Sequence, residues 1–307
     1  MLRFSQAIRA YPELAAVVVA GVIGLTLARP FRWMVAHHGI NVLLVVLVFA
    51  TAVTITIADL RSVAAVRFRL VISLLVGATV LPALSWGIAH IVATGPLRLG
   101  VMTIGLAPCE IASVATTAMA GGQAASSAVM LIGSTLLSVA LAGPLLALEA
   151  GHSSVSATSL IVNLTLVVVV PLVVGIAIGA RTTIGVEHRA AASNTATVAV
   201  AALVALIASQ IHLSASYLGV LAATLAFLAA SALVGWLLAV RASPAIGISM
   251  LLTTSMRDFA IAAGIASAAF GAAAAAPLGI YGIVVLVWGT TIAGLLRRRI
   301  TGRPTTA

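Results

Sequence analysis

Three charged side chains stand where charges are rare. Glu110, Arg257 and Asp258 each fall in the middle of a long apolar block rather than at its edge. A charge at bilayer depth costs about 2.5–3.5 kcal/mol on insertion scales, so such groups face a cavity or a partner. Two carboxylates and a guanidinium at one depth can hold an ion, carry a proton, or neutralise one another as a buried cluster. Around the first runs Leu106-Ala107-Pro108-Cys109-Glu110-Ile111-Ala112-Ser113. Pro108 has no backbone N–H and clashes with the preceding turn, which predicts a break or kink. Around the other two runs Thr253-Thr254-Ser255-Met256-Arg257-Asp258, which lacks Gly and Pro and clusters hydroxyls with charges instead. A broken helix leaves free amides and carbonyls, tolerated in lipid only where they line a cavity or meet protein. Both segments are therefore expected to face one central site.

Other polar residues carry weaker signals. Ser126, Ser127, Ser134, Thr135 and Ser138 share one apolar run, where small hydroxyl residues serve mainly to let helices approach closely. Asn41, Asn163 and Gln210 read as interhelical hydrogen-bond formers. The six His are at the edges of apolar blocks, without metal-ligand spacing. The single Cys109 excludes an internal disulfide and Cys-rich clusters. No nucleophile–base–orienter set, P-loop or dinucleotide fingerprint is present, so the chain reads as neither an enzyme nor an ATP-driven pump.

The elements that must position these residues are membrane helices. The chain has 307 residues, 62% of them hydrophobic and 7% charged, with a mean hydropathy of +1.25. An ordinary soluble domain is about 45–50% apolar and about 25% charged. A span needs about 20 mostly apolar residues. Ten such runs are read at 11–28, 39–58, 70–93, 99–120, 124–148, 158–179, 191–211, 216–240, 245–270 and 275–296. The first is not a signal peptide, because no small-x-small site precedes Arg29-Pro30. Trp33, Trp86, Trp236 and Trp288 read as interface anchors near span ends.

All 16 basic residues are Arg, against six acids, a net charge of +10. In a soluble chain that balance points to nucleic acid; here it reads as topology. With the N-terminus inside, twelve Arg (3, 9, 61, 67, 69, 181, 189, 241, 297, 298, 299 and 303) fall inside and three (29, 32 and 98) outside. That bias places both termini in the cytoplasm and the chain in the plasma (inner) membrane. Ten spans divide into five and five, residues 1–150 and 151–307. An odd number per half inverts the second, the inverted repeat of many secondary transporters. The charges then fall in the fourth span of each half.

Gly105-Leu106-Ala107-Pro108-Cys109-Glu110-Ile111-Ala112-Ser113, then Ala120-Gly121-Gly122-Gln123, then Ser134-Thr135-Leu136-Leu137, resembles the bile acid:sodium symporter family, and Ser255-Met256-Arg257-Asp258 looks like its ninth-helix segment. The resemblance implies an all-α protein of ten helices in two inverted five-helix repeats. Helices 3–5 and 8–10 would form a core in which broken helices 4 and 9 cross. Helices 1, 2, 6 and 7 would form a panel. It implies an organic anion carried between core and panel by alternating access, and two sodium ions behind the crossing. The site residues so implied, or marked by their chemistry, are Pro108, Cys109, Glu110, Ser113, Ser127, Thr253, Thr254, Met256, Arg257 and Asp258. Of the sodium ligands, Ser113, Ser127 and Thr253 remain as candidates. Val114, Leu131, Gly77 and Arg257 stand where the pattern has oxygen donors, and Thr253 replaces its carboxylate. These losses predict weak sodium sites and leave the proton as the alternative coupling ion, with Glu110 or Asp258 as its carrier and Arg257 held by whichever acid remains.

Two further readings stay open. Cys109 with Asp258 weakly resembles the arsenite exporters of the same superfamily, where a thiolate would suit trivalent arsenic. A receptor or scaffold with a decayed transport site is the other.

Overall fold

A computed structural model describes residues 12–55, 66–92, 95–149, 157–181, 186–211 and 214–301. Arg3, Arg9, Arg61 and Arg303, named above, lie outside them, as do His152 and His212 of the six His. The described residues are helical throughout, apart from turns and one isolated bridge. In order they form α1 (Pro12–Thr26), α2 (Ala28–Ala36), α3 (Gly39–Ala52), α4 (Arg67–Ala89), α5 (Pro96–Leu106), α6 (Ser113–Met119) and α7 (Ala124–Glu149). There follow α8 (Ala157–Leu164), α9 (Val170–Arg181), α10 (Val186–Ala208), α11 (Ser216–Ala239), α12 (Pro244–Ser255), α13 (Phe259–Phe270) and α14 (Ala272–Thr301).

Six helical stretches among the described residues are long and apolar enough to cross a membrane, or seven if α1 and α2, bent by 93°, count as one. Large apolar side chains such as Val42, Phe68, Leu75, Leu218 and Trp236 point away from the protein. In water that surface would aggregate; in lipid it needs no cover. The protein is all-helical over its described residues and is a multi-pass membrane protein.

Local chemistry explains the interruptions. Pro171 has no N–H to give to the carbonyl of Val167, and the chain widens there into a π-turn, Thr165–Val169, between α8 and α9. Leu106 ends α5 two residues before Pro108, and α6 restarts at Ser113. α12 ends at Ser255 and α13 starts at Phe259, with no Pro or Gly between them. At 1.5 Å per residue, α12 and α13 are each about 18 Å long, well short of the ~30 Å hydrocarbon core.

α10 packs along α1 and α3, and α3 along α9; α4 packs along α5, α11 along α12, and α14 along both α5 and α13. Small residues permit the closest approaches. A Cβ on Gly105 would run into the backbone carbonyl of Leu81 and the hydroxyl of Ser85, so α4 and α5 meet there backbone to backbone. Gly105→Val is therefore expected to destabilise the protein by about 1–3 kcal/mol through overpacking. Gly87, on the outer side of α4, is the control: a methyl added there would meet nothing within 4 Å. Gly87→Ala should not destabilise, and its gain in helix propensity should add up to about 1 kcal/mol. Thermal unfolding in detergent reads both, and equal behaviour would refute the close-approach argument.

Candidate functional site

The two helix breaks solve each other's hydrogen-bonding problem. Residues 107–112 and 256–258 run past one another as a one-rung antiparallel ladder, centred on Cys109 opposite Arg257. Glu110 N donates to Met256 O at 2.8 Å, and Asp258 N donates to Pro108 O at 2.9 Å. The remaining groups find side chains. Cys109 N donates to Ser134 Oγ at 3.0 Å and Arg257 N to Tyr281 Oη at 3.1 Å. Ser231 Oγ donates to Ser255 O at 3.3 Å, and the guanidinium of Arg257 donates to Ala107 O. Unpaired backbone in lipid costs several kcal/mol per group, so each break is stable only beside the other.

Both carboxylates lie at the start of α13. Asp258 is its N-cap, and Oδ1 accepts from Ile261 N at 2.8 Å. Glu110 reaches across from the other break, and Oε2 accepts from Phe259 N at 3.3 Å. The unsatisfied amides and the positive dipole end of a helix favour negative charge there. Each carboxylate feels the charge of its neighbourhood: Glu110 that of Asp258, and both the amide of Ile111. Glu110, Arg257 and Asp258 are almost wholly buried.

Arg257 departs from the expected pairing. Its hydrogen bonds go to neither Glu110 nor Asp258. Nη2 turns to Ala107 O, Nη1 lies 4.0 Å from Cys109 Sγ, and Nε has no partner. Asp258 acts on it through charge alone.

The other candidates divide. Pro108, Cys109, Glu110, Met256, Arg257 and Asp258 make the crossing itself. Met256 packs its thioether against Gly289. Ser113 opens α6 with a buried hydroxyl that has no partner, and Thr254, on the last turn of α12, has another. Ser127 donates to Thr117 Oγ1 at 2.9 Å, and Thr253 donates back to Ser249 O at 2.7 Å, so the hydrogens of both point away from the ladder. Val114 and Leu131 pack in an apolar cluster with Leu70, Cys109 and Met130. The Cys109 thiol is enclosed by that cluster and directed to Met130 O at 3.9 Å, an inert setting for a soft-metal ligand.

Tyr281 and Ser231 are positioning residues that the sequence reading missed. A Tyr within an apolar span was the available signal for the first, because a buried hydroxyl needs a partner. Trp288 is likewise no interface anchor: it sits inside α14, and Nε1 donates to Ser255 Oγ at 3.1 Å.

A cavity of about 720 Å³ opens between α2, α3 and α8 on one side and the α13–α14 turn on the other. Its polar lining includes His38, Asn41, Asn163 and Ser267, and Asn41 Nδ2 donates to Asn163 Oδ1 at 3.5 Å. Ligand pockets fall at roughly 300–1,000 Å³.

Residues 41–221, more than half of the chain, match the model of a family described as the sodium bile acid symporter family. The matched stretch includes Pro108–Ser113 and Ser127 and ends before Thr253–Asp258. Over 164 residues the chain is 26% identical to a protein of Bacillus subtilis (strain 168) titled "Uncharacterized sodium-dependent transporter YocS". That alignment covers 52% of this chain and 50% of the relative, so the chain spans about half the length of the curated relative it matches.

Proposed function

Since the chain belongs to the sodium bile acid symporter family, whose members are transporters and not enzymes, we propose that it is a secondary transporter moving a small organic anion by alternating access. The observation that carries this reading is the pair of helix breaks bonded to each other, with three buried charges between them. Irregular backbone with ionisable groups at membrane depth is what a transport site is built from.

The proposed architecture is ten membrane-crossing segments in two inverted halves, 1–150 and 151–307, with a break in the fourth of each. The packing of α10 on α1 and α3, and of α3 on α9, supports a panel. The packing of α14 on α5 and α13 supports a core. Both termini face the cytoplasm of the plasma (inner) membrane, for which the Arg asymmetry is the argument.

The cavity beside Asn41 and Asn163 is the proposed cargo site. The first turn of α3 lines it, and first-turn amides with no helical partner favour an anion. Coupling to protons fits the chain better than coupling to sodium. The oxygens left for sodium are the single hydroxyls of Ser113, Ser127 and Thr253, with no carboxylate among them, and apolar packing fills the places of Val114 and Leu131. Sodium, a hard cation, needs several oxygens, whereas two adjacent carboxylates can share a proton.

Uptake of a panel of labelled organic carboxylates and sulfonates into proteoliposomes tests the reading. At least one is expected to enter saturably and to exchange against itself. Asn163→Asp should raise its KM by about tenfold or more, since like charges placed together cost several kcal/mol, while Asn163→Ala should do less. No exchange with any anion would favour a scaffold.

A further inference from the structure

Behind the ladder, on the side facing α4 and α7, is a second and much smaller cavity of about 20 Å³. That is room for about one water-sized particle and no organic cargo. Its walls hold three buried polar atoms that the protein leaves without a hydrogen bond: Ser73 Oγ on α4, Thr254 Oγ1 on α12, and Arg257 Nε in the break. The residues are 1%, 2% and 4% exposed, so bulk solvent does not satisfy them. The other hydroxyls of the wall are committed. Ser134 Oγ accepts from Cys109 N and donates to Leu131 O, and Ser138 donates to Leu106 O. Among the described residues, no carboxylate lines the space. Glu110 and Asp258 turn to the amides of α13 instead. Gly77 completes the wall, and a Cβ there would stand 3.6 Å from Arg257 Nη1.

We propose that this cavity is a binding site for a small inorganic anion of halide size, held by Arg257 Nε–H and the hydroxyls of Ser73 and Thr254. Nε–H can only donate, so the occupant must accept from it, and both hydroxyls can turn to donate to the same acceptor. A halide accepts without asking for anything in return. A water would accept from Nε–H but would have to direct its two hydrogens at the lone pairs of the same two hydroxyls, leaving their own O–H groups without an acceptor. A guanidinium that keeps its charge in a low-dielectric wall favours the anion further. The charged side chain that acts on Arg257 is Asp258, which is not in the cavity wall. Cys109 is in the wall, with its thiol directed to Met130 O. The bound anion would join α4, the end of α12 and the second break, fixing the register of the ladder. The proposal is independent of which cargo the protein carries.

The test uses the full-length protein in detergent, without cargo or gradient. Thermal unfolding is followed in potassium chloride, potassium bromide and potassium gluconate at equal ionic strength and pH. Chloride and bromide should raise the midpoint saturably, by about 2–4 °C or more over gluconate, which is too large to enter. Ser73→Ala and the near-isosteric Thr254→Val should each shrink that difference by at least half. Bromide soaked into crystals should give an anomalous peak within hydrogen-bond reach of Arg257 Nε. Equal midpoints in all three salts would overturn the proposal in favour of a water. So would a halide effect that both variants leave intact. Failure of the organic-anion reading would leave these readouts unchanged.

Discussion

Arg257→Ala is expected to lower uptake by about ten- to a hundredfold. The guanidinium is a charged donor to Ala107 O and lies against Cys109, so it ties the second break to the first. A hydrogen bond to a charged group contributes about 1.5–3 kcal/mol, and each 1.4 kcal/mol is about tenfold in an equilibrium. The same change leaves Asp258 without the cation whose field it feels. A buried charge stripped of its compensation is more harmful than no charge at all. The double variant Arg257→Ala, Asp258→Asn should therefore unfold at a higher temperature than Arg257→Ala alone. Equal midpoints for the single and double variants would mean that the two charges act independently.

Replacing sodium with an inert organic cation at fixed pH is expected to leave uptake within about twofold, while Glu110→Gln lowers proton-driven uptake by about tenfold or more, ~1.4 kcal/mol. Glu110 projects from one break onto the first amide of the helix that follows the other. Losing a proton there changes the charge at the joint between the two segments. Gln keeps the shape and one acceptor but cannot titrate. Uptake measured with a pH gradient, a sodium gradient and neither separates the outcomes. Collapse of uptake without sodium, together with an unimpaired Glu110→Gln, would show that substitute ligands hold the cation.

What the sequence made legible depended on whether the cause was local. Pro108 announced the first break by removing a donor from its own chain. The second break, at 256–258, has no local cause: its amide and carbonyl are drawn off by Pro108 and Glu110, far away in sequence, and only its polarity marked it. The run 99–120 reads as one apolar span, yet its interior is α5, a break and α6. Arg29-Pro30 read as the end of the first span, whereas the chain turns by 93° and continues as α2. Pro fits the first turn of a helix as well as it ends one. The residues of the crossing were found because charge in an apolar run is conspicuous. The direction of Arg257 was not, because a guanidinium with five N–H groups donates to a carbonyl as readily as to a carboxylate, and spacing along a chain does not choose between them.

The mutual bonding of the two breaks also sets a clock on biosynthesis. Cys109 and Arg257 are 148 positions apart, and a ribosome adding about 5–20 residues per second needs roughly 7–30 s to cover that interval. Throughout that time the first break is in the membrane with the amide of Glu110 and the carbonyl of Pro108 lacking their permanent partners. Nascent chains arrested before Met256 should therefore be more open to insertase contacts and membrane proteases than chains arrested after α13. The first half of this protein is born as a client of quality control, and its second half ends that dependence.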